Sequence, residues 1–140
     1  MDKTLFDRLG GKATLQKVHK RFYDKLYAHP WLGKYFTDKP QQVLENQQTD
    51  FMGQLMGGPK AYGGKAPKFA HQHMVISEEL FATRSQLLSD AIEECGIGED
   101  LRFEWLEMDA GFRRALVKKS EAECTPSYPG QPILNFPKPR

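Results

Sequence analysis

His71 stands in the run Phe69-Ala70-His71-Gln72-His73-Met74-Val75-Ile76, directly after Gly57-Gly58-Pro59-Lys60-Ala61-Tyr62-Gly63-Gly64. An imidazole is the side chain best suited to ligate a metal near neutral pH. A helix with two glutamines, Gln47 and Gln48, precedes that run, and an earlier helix carries Tyr23. The layout suggests a helical pocket with an imidazole below and amides and a phenol above, able to hold a metal centre with one open position.

Other chemistries find less support. His71 and His73 form His-x-His, which on a helix points the two rings in different directions and argues against both binding one zinc. No second His/Asp/Glu pair has metal-site spacing. His19 borders an apolar helix face and reads as a structural histidine; His29 precedes Pro30 at a helix end and reads as a surface residue. There is no Gly-x-Ser-x-Gly, and Gly57-Gly58-Pro59 is not followed by Gly-Lys-Ser/Thr, so no nucleophile elbow or phosphate loop is present. Cys95 and Cys124 form neither Cys-x-x-Cys nor Cys-x-x-Cys-His, which excludes covalent c-type haem attachment and a thiolate zinc cluster.

Helices must position these groups. Thr4 can cap a short helix over Leu5 to Leu9 that Gly10-Gly11 stops. A helix from about Lys12 to Ala28 aligns Leu15, Val18, Phe22 and Leu26 on one face, with His19 and Tyr23 at its edge. Pro30 ends it, and Trp31 to Phe36 is a short aromatic turn or helix. Pro40 can start a helix from Gln41 to about Met56. There Leu44, Gln48, Phe51 and Leu55 fall in a stripe about 60° wide, flanked by Gln47 and Met52. Gln48 is thus expected in the middle of a buried face. Burying an amide without a partner costs about 1–3 kcal/mol, so a side chain, a water or a bound ligand must hydrogen-bond it.

Pro67 starts a short helix carrying His71. Ser77 caps a helix running on Leu80, Phe81, Leu87, Leu88, Ala91 and Ile92 to Gly96. Glu99-Asp100 open a last helix through Leu101, Trp105, Met108, Phe112 and Leu116, with Lys118-Lys119 at its C-terminal end. Residues 121–140 hold five of the nine prolines and read as an extended tail. Ile133, Leu134 and Phe136 can dock it, and a free tail fits the sequence equally well. The expectation is an all-α domain over residues 1–120 followed by that tail.

At 140 residues the chain is one domain's worth. A formal net charge of +2 is too small to suggest a nucleic-acid or polybasic membrane surface. The start Met1-Asp2-Lys3-Thr4-Leu5-Phe6 has no apolar signal core, and no segment approaches the roughly 18 apolar residues of a membrane span. A cytoplasmic protein with reduced thiols is expected, as a monomer or weak dimer.

In order and separation, Leu5-Phe6-Asp7-Arg8-Leu9-Gly10-Gly11, Phe22-Tyr23, Pro30-Trp31-Leu32-Gly33-Lys34-Tyr35-Phe36, Gln47-Gln48-Thr49-Asp50-Phe51, Gly57-Gly58-Pro59 with Tyr62 and Gly64, and His71 with Ile76 and Phe81 resemble the truncated haemoglobins, most nearly group I. The resemblance runs from about Thr4 to Cys95. It implies a two-over-two helical sandwich around haem b. His71 matches the proximal ligand of the iron, Phe36 the aromatic residue packed on the porphyrin, and Tyr23 the distal tyrosine that donates to bound gas. Leu44, Gln47 and Gln48 match distal-helix positions, with Gln48 the second donor. Phe51 and Met52 match the pocket wall and tunnel-gating region. Phe81 also belongs to the matched cofactor surroundings, and Tyr62 and Lys68 are propionate neighbours.

What the resemblance implies for function is reversible binding of O2, NO and CO, for O2 storage or transport. NO dioxygenation with a reductase, or a peroxidase-like side activity, would use the same residues. A gas sensor signalling through the tail, and a haem-free helical domain, are alternatives. Arg84 departs from the family's apolar position; it is expected to reach a propionate or solvent, or to narrow the ligand tunnel. Gln47 stands where some relatives carry a second, iron-binding histidine, so no internal sixth ligand is expected from that helix.

Overall fold

The Thr4 hydroxyl accepts the Asp7 amide at 3.1 Å and caps the first helix, α1 (Leu5–Leu9). In the computed structural model, which describes residues 3–139, α1 stops at Gly10. Gly10 has φ 107°, a left-handed conformation that favours glycine, and its N–H returns to the Asp7 carbonyl. Helix α2 (Lys12–Ala28) buries Leu15, Val18, Phe22 and Leu26, the stripe that its periodicity predicts. His29, expected at the surface, is half-buried. Its Nδ1 accepts the Trp31 and Leu32 amides at 3.1 and 3.2 Å, fixing the turn that follows α2.

A 3₁₀ helix (Leu32–Phe36) then lies over the end of α2. A Cβ on Gly33 would sit 2.7 Å from the Tyr27 carbonyl, so this close crossing requires glycine. Helices α3 (Gln41–Leu55), α4 (Pro67–Ala70), α5 (Glu78–Glu94), α6 (Glu99–Ala110) and α7 (Arg113–Leu116) complete the domain. Ser77 caps α5 by accepting the Leu80 amide at 3.1 Å. Helix α2 packs on α3 and on α5, and α5 packs on α6. The result is the expected all-α, two-over-two arrangement. Among the described residues no helix is long and apolar enough to cross a membrane.

Three expectations need correction. The buried face of α3 is Glu45, Thr49, Met52 and Gly53, whereas Leu55 is 44% exposed and Gln48 is half-buried. Helix α3 has two working faces: Glu45, Thr49 and Met52 pack inward, while Leu44, Gln48 and Phe51 border open space. A single-stripe reading cannot separate a face buried against protein from a face lining a cavity. Secondly, the last helix is broken. Gly111 and Phe112 turn the chain through N–H bonds to Met108 and Asp109, because an interior glycine weakens a helix by about 1 kcal/mol relative to alanine. Lys118-Lys119 consequently follow α7 rather than end one long helix. Thirdly, α4 ends at Ala70, leaving His71 just outside the helix at its C-cap.

The structure also decides between the two states considered for the tail. It is docked. After a 3₁₀ turn (Glu121–Glu123), Thr125 N–H donates to the Gln72 carbonyl at 2.8 Å, and Leu134 forms a parallel bridge with Met74.

Candidate functional site

His71 sits at the end of a four-residue helix with φ −115° and ψ 9°. Its Nδ1 lies 2.7 Å from the Pro67 carbonyl. A carbonyl only accepts, so Nδ1 carries the proton and the Nε2 lone pair remains uncommitted. Burial pushes this imidazole down to about 4 against the opposing effect of the Pro67 bond; the charges of Arg84 and Lys118 add to the lowering. The ring is therefore neutral at neutral pH, the form that ligates metals.

His71 borders two adjoining cavities. The inner one, about 140 Å³, is walled by Phe22, Tyr23, Phe36, Phe51, Phe81 and the aliphatic side chains of Leu26, Leu32, Ile76, Leu80 and Leu116. The outer one, about 550 Å³, is shared by Tyr23, Phe36, Gln48 and Phe51 and extends to Lys39, Lys65 and Tyr128. Together they fall in the range of a cofactor site, roughly 300–1,000 Å³. Tyr23 packs edge-on to Phe22 and Phe36, with centroids 5.3 and 6.2 Å away. Burial pushes its phenol well above the usual range, partly offset by the charge of Arg84, so it stays an O–H donor. Phe36 is held by stacking on Tyr27 at 4.9 Å.

Of the residues singled out from sequence, His71, Tyr23, Phe36, Gln48, Phe51 and Phe81 line the inner cavity. Leu44, Gln47 and Tyr62 line only the outer one. Lys68 is exposed and borders neither, and Met52 is fully buried in the core. Lys39 and Lys65 line the outer cavity. The Tyr62 hydroxyl donates to the Lys65 carbonyl, tying the glycine-rich loop closed on itself.

Arg84 lines the inner cavity and is engaged by a carboxylate rather than turned to solvent. Its guanidinium forks onto Asp109, Nη1 to Oδ2 at 2.8 Å and Nη2 to Oδ1 at 3.0 Å, between the rings of Phe22 and Phe81. Asp109 is 1% exposed. Burying an aspartate needs a matched cation, and a bidentate guanidinium supplies it. Nothing within α5 marks this partner, which lies 25 residues away on α6. His19 is structural, as expected: Nδ1 is 2.8 Å from the Thr49 hydroxyl, the ring meets Trp105 edge-on, and burial pushes it down to about 3. His73 borders the outer cavity only.

Sequence reasoning passed over Tyr35, Met74 and the tail residues Ser127, Tyr128 and Gln131, all of which line the outer cavity. Tyr35 lay within a quoted motif. The tail residues gave no signal, because proline-rich segments lack periodicity.

Among the described residues no three His, Cys, Asp or Glu side chains converge to hold a metal ion. A metal held through His71 must then bring its other ligands with it. A flat, largely apolar macrocycle fits: aromatic rings line the cleft, one neutral imidazole offers a lone pair, and two lysines stand at the mouth.

Comparison with known proteins agrees with this. The family model described as bacterial-like globin matches residues 4–117. A group 1 truncated haemoglobin from Tetrahymena thermophila is 31% identical over 98 residues, 70% of this chain and 81% of that protein. The group 1 truncated haemoglobin GlbN of Mycolicibacterium paratuberculosis is 31% identical over 94 residues, covering 67% of this chain and 69% of its own length. The crystal structure of the truncated haemoglobin of Tetrahymena pyriformis in its Fe(III) form superposes with a TM-score of 0.78 at 26% identity, covering 84% of this chain and 100% of that one.

Proposed function

We propose that this chain, which belongs to the bacterial-like globins and within them to the truncated haemoglobins, is a haem-b protein that reversibly binds O2 and other diatomic gases, NO and CO among them. Haem bound here supplies an iron centre at which such a gas bonds reversibly. One observation carries the reading: a neutral His71, with Nδ1 committed to the Pro67 carbonyl, shares one cleft with Tyr23 and Gln48.

His71 is the single protein ligand to the metal. Phe36, Leu44, Phe51, Tyr62 and Phe81, which line the cleft, would hold the macrocycle and keep water from it, and Lys39 and Lys65 at the mouth would supply cations for its carboxylates. Tyr23 and Gln48, in the same cavity as His71, would donate to a polar guest held there, with Gln47 in the outer cavity only. A hydrogen bond to a charge-bearing group is worth about 1.5–3 kcal/mol, which slows gas release by about one to two orders of magnitude. Slow release favours O2 storage or transport over rapid turnover. The gas-binding unit in this reading is residues 1–120, and residues 125–136 of the following tail pack against it.

An absorption spectrum tests the cofactor. Purified protein is expected to show a Soret band that is lost in His71→Ala. A wild type that takes up no haem sinks the proposal. NO consumption with a reductase present tests the enzymatic alternative; sustained turnover would displace storage as the main role.

A further inference from the structure

A four-residue helix cannot by itself hold an imidazole in place, since short helices are marginal without tertiary support. The segment from His71 to Ile76 that follows is not helical either. Its backbone is instead paired with residues beyond 117, where the family match ends. Lys118 Nζ donates to the His71 carbonyl at 3.1 Å, and Thr125 N–H to the Gln72 carbonyl at 2.8 Å. Leu134 N–H donates to the His73 carbonyl at 2.9 Å, and Val75 N–H to the Leu134 carbonyl at 2.8 Å. Lys118 N–H donates to the Ile76 carbonyl at 2.8 Å.

The far end of this segment is anchored on the turn that follows α2. The Trp31 indole donates to the Phe136 carbonyl at 2.8 Å, and Phe136 N–H donates to the Tyr35 hydroxyl at 3.2 Å. That hydroxyl in turn lies 3.3 Å from the Val75 carbonyl, to which it donates. The Phe136 ring packs edge-on to Tyr35 at 5.0 Å.

We propose that residues 124–136 are a positioning strap for the axial histidine: by bonding the backbone on both sides of His73 and fastening to the Trp31–Phe36 turn, the strap fixes where His71 stands relative to the cleft. The inference rests on the haem reading above. Ser127, Tyr128 and Gln131 of the strap line the outer cavity that Tyr23 and Gln48 share, without a hydrogen bond to either. The strap is therefore tested on the strength of the metal–histidine bond and on cofactor retention.

Leu134→Pro removes the N–H that reaches His73, and Thr125→Pro/Leu134→Pro removes both strap N–H donors to the segment that carries His71. Leu134→Ala keeps the backbone bonds and is the conservative control. The readouts are the iron–histidine stretching band of the ferrous, gas-free protein and haem transfer to excess apomyoglobin. The proline variants are expected to shift the band and to speed haem transfer by about 5- to 30-fold, the factor expected from one or two lost hydrogen bonds. Leu134→Ala leaves the band in place. An unshifted band in the double proline variant overturns the strap while leaving the haem reading intact. A band shift as large in Leu134→Ala also overturns it, because the backbone bonds survive there. Absence of haem from wild type removes both inferences together.

Discussion

On the His71 side the cleft is walled by irregular backbone, whereas on the Tyr23 side it is walled by side chains on long helices. Between His71 and Ile76 the carbonyls and amides are paired with residues brought from the far end of the chain. Tyr23 and Gln48, by contrast, stand on α2 and α3, whose positions are fixed by packing of Leu15, Val18, Phe22 and Met52. A ligand to metal needs one fixed position, which a backbone network gives. Donors to a transient guest need a fixed base and free polar atoms, which helices with a cavity-facing edge give.

That contrast can be broken most directly at the His71 side, where His71→Ala removes the proposed metal ligand and should abolish the Soret band. Next in size is Asp109→Asn, which leaves the Arg84 guanidinium, on the wall of the inner cavity, without its carboxylate. Removing one partner of a buried pair costs about 3–5 kcal/mol, read as a lower midpoint in urea; an unchanged midpoint would show that cavity water already compensates Arg84. Tyr23→Phe deletes one donor from the helical wall without touching the other wall. The gas dissociation rate should rise about 10- to 100-fold with the iron–histidine band unmoved; a moved band would mean that the two walls are coupled.

Acid sharpens the comparison further, in the haem-free protein. His71 and His19 titrate near 4 and 3 in the fold and near 6.5 unfolded. Below about 6.5 the unfolded chain takes up protons that the fold refuses. Stability is therefore full above that pH and falls as pH drops toward 4, by at most about 1.4 kcal/mol per pH unit for each ring. His19→Gln should lower the slope in urea titrations between pH 6 and 4.5, leaving the part due to His71 and His73, both also lowered by burial. The smallest effect is expected at Gln47, exposed at the mouth, where Gln47→Ala should change gas release by less than about twofold.

Elements with local signatures were legible before any coordinates. Thr4, Ser77 and the stripe of α2 predict their own helices, because a cap or a periodic face needs only neighbours within a few residues. His71, Tyr23 and Gln48 could be brought to one pocket only through the ordered family motifs, since spacing alone left His71 no better than other lone histidines. The rotation of α3 escaped because its core face carries Glu45 and Thr49 while the apolar Leu44 and Phe51 border the cavity, so the apolar stripe marked the wrong face. The Arg84–Asp109 fork escaped because charge pairing across 25 residues leaves no periodic trace. The strap was hardest to see: its contacts are main-chain bonds, to which residue type contributes little.

The fastening of Phe136 to Trp31 and Tyr35 spans 105 and 101 residues. Joining points so far apart along a chain carries a larger closure entropy than any helix–helix contact in α1–α3, and such contacts form late. During synthesis the helices can assemble while residues 127–131 are still absent from the rim of the cleft. Order of folding thereby gives the cofactor an open doorway early and narrows it last, when residue 136 reaches its place.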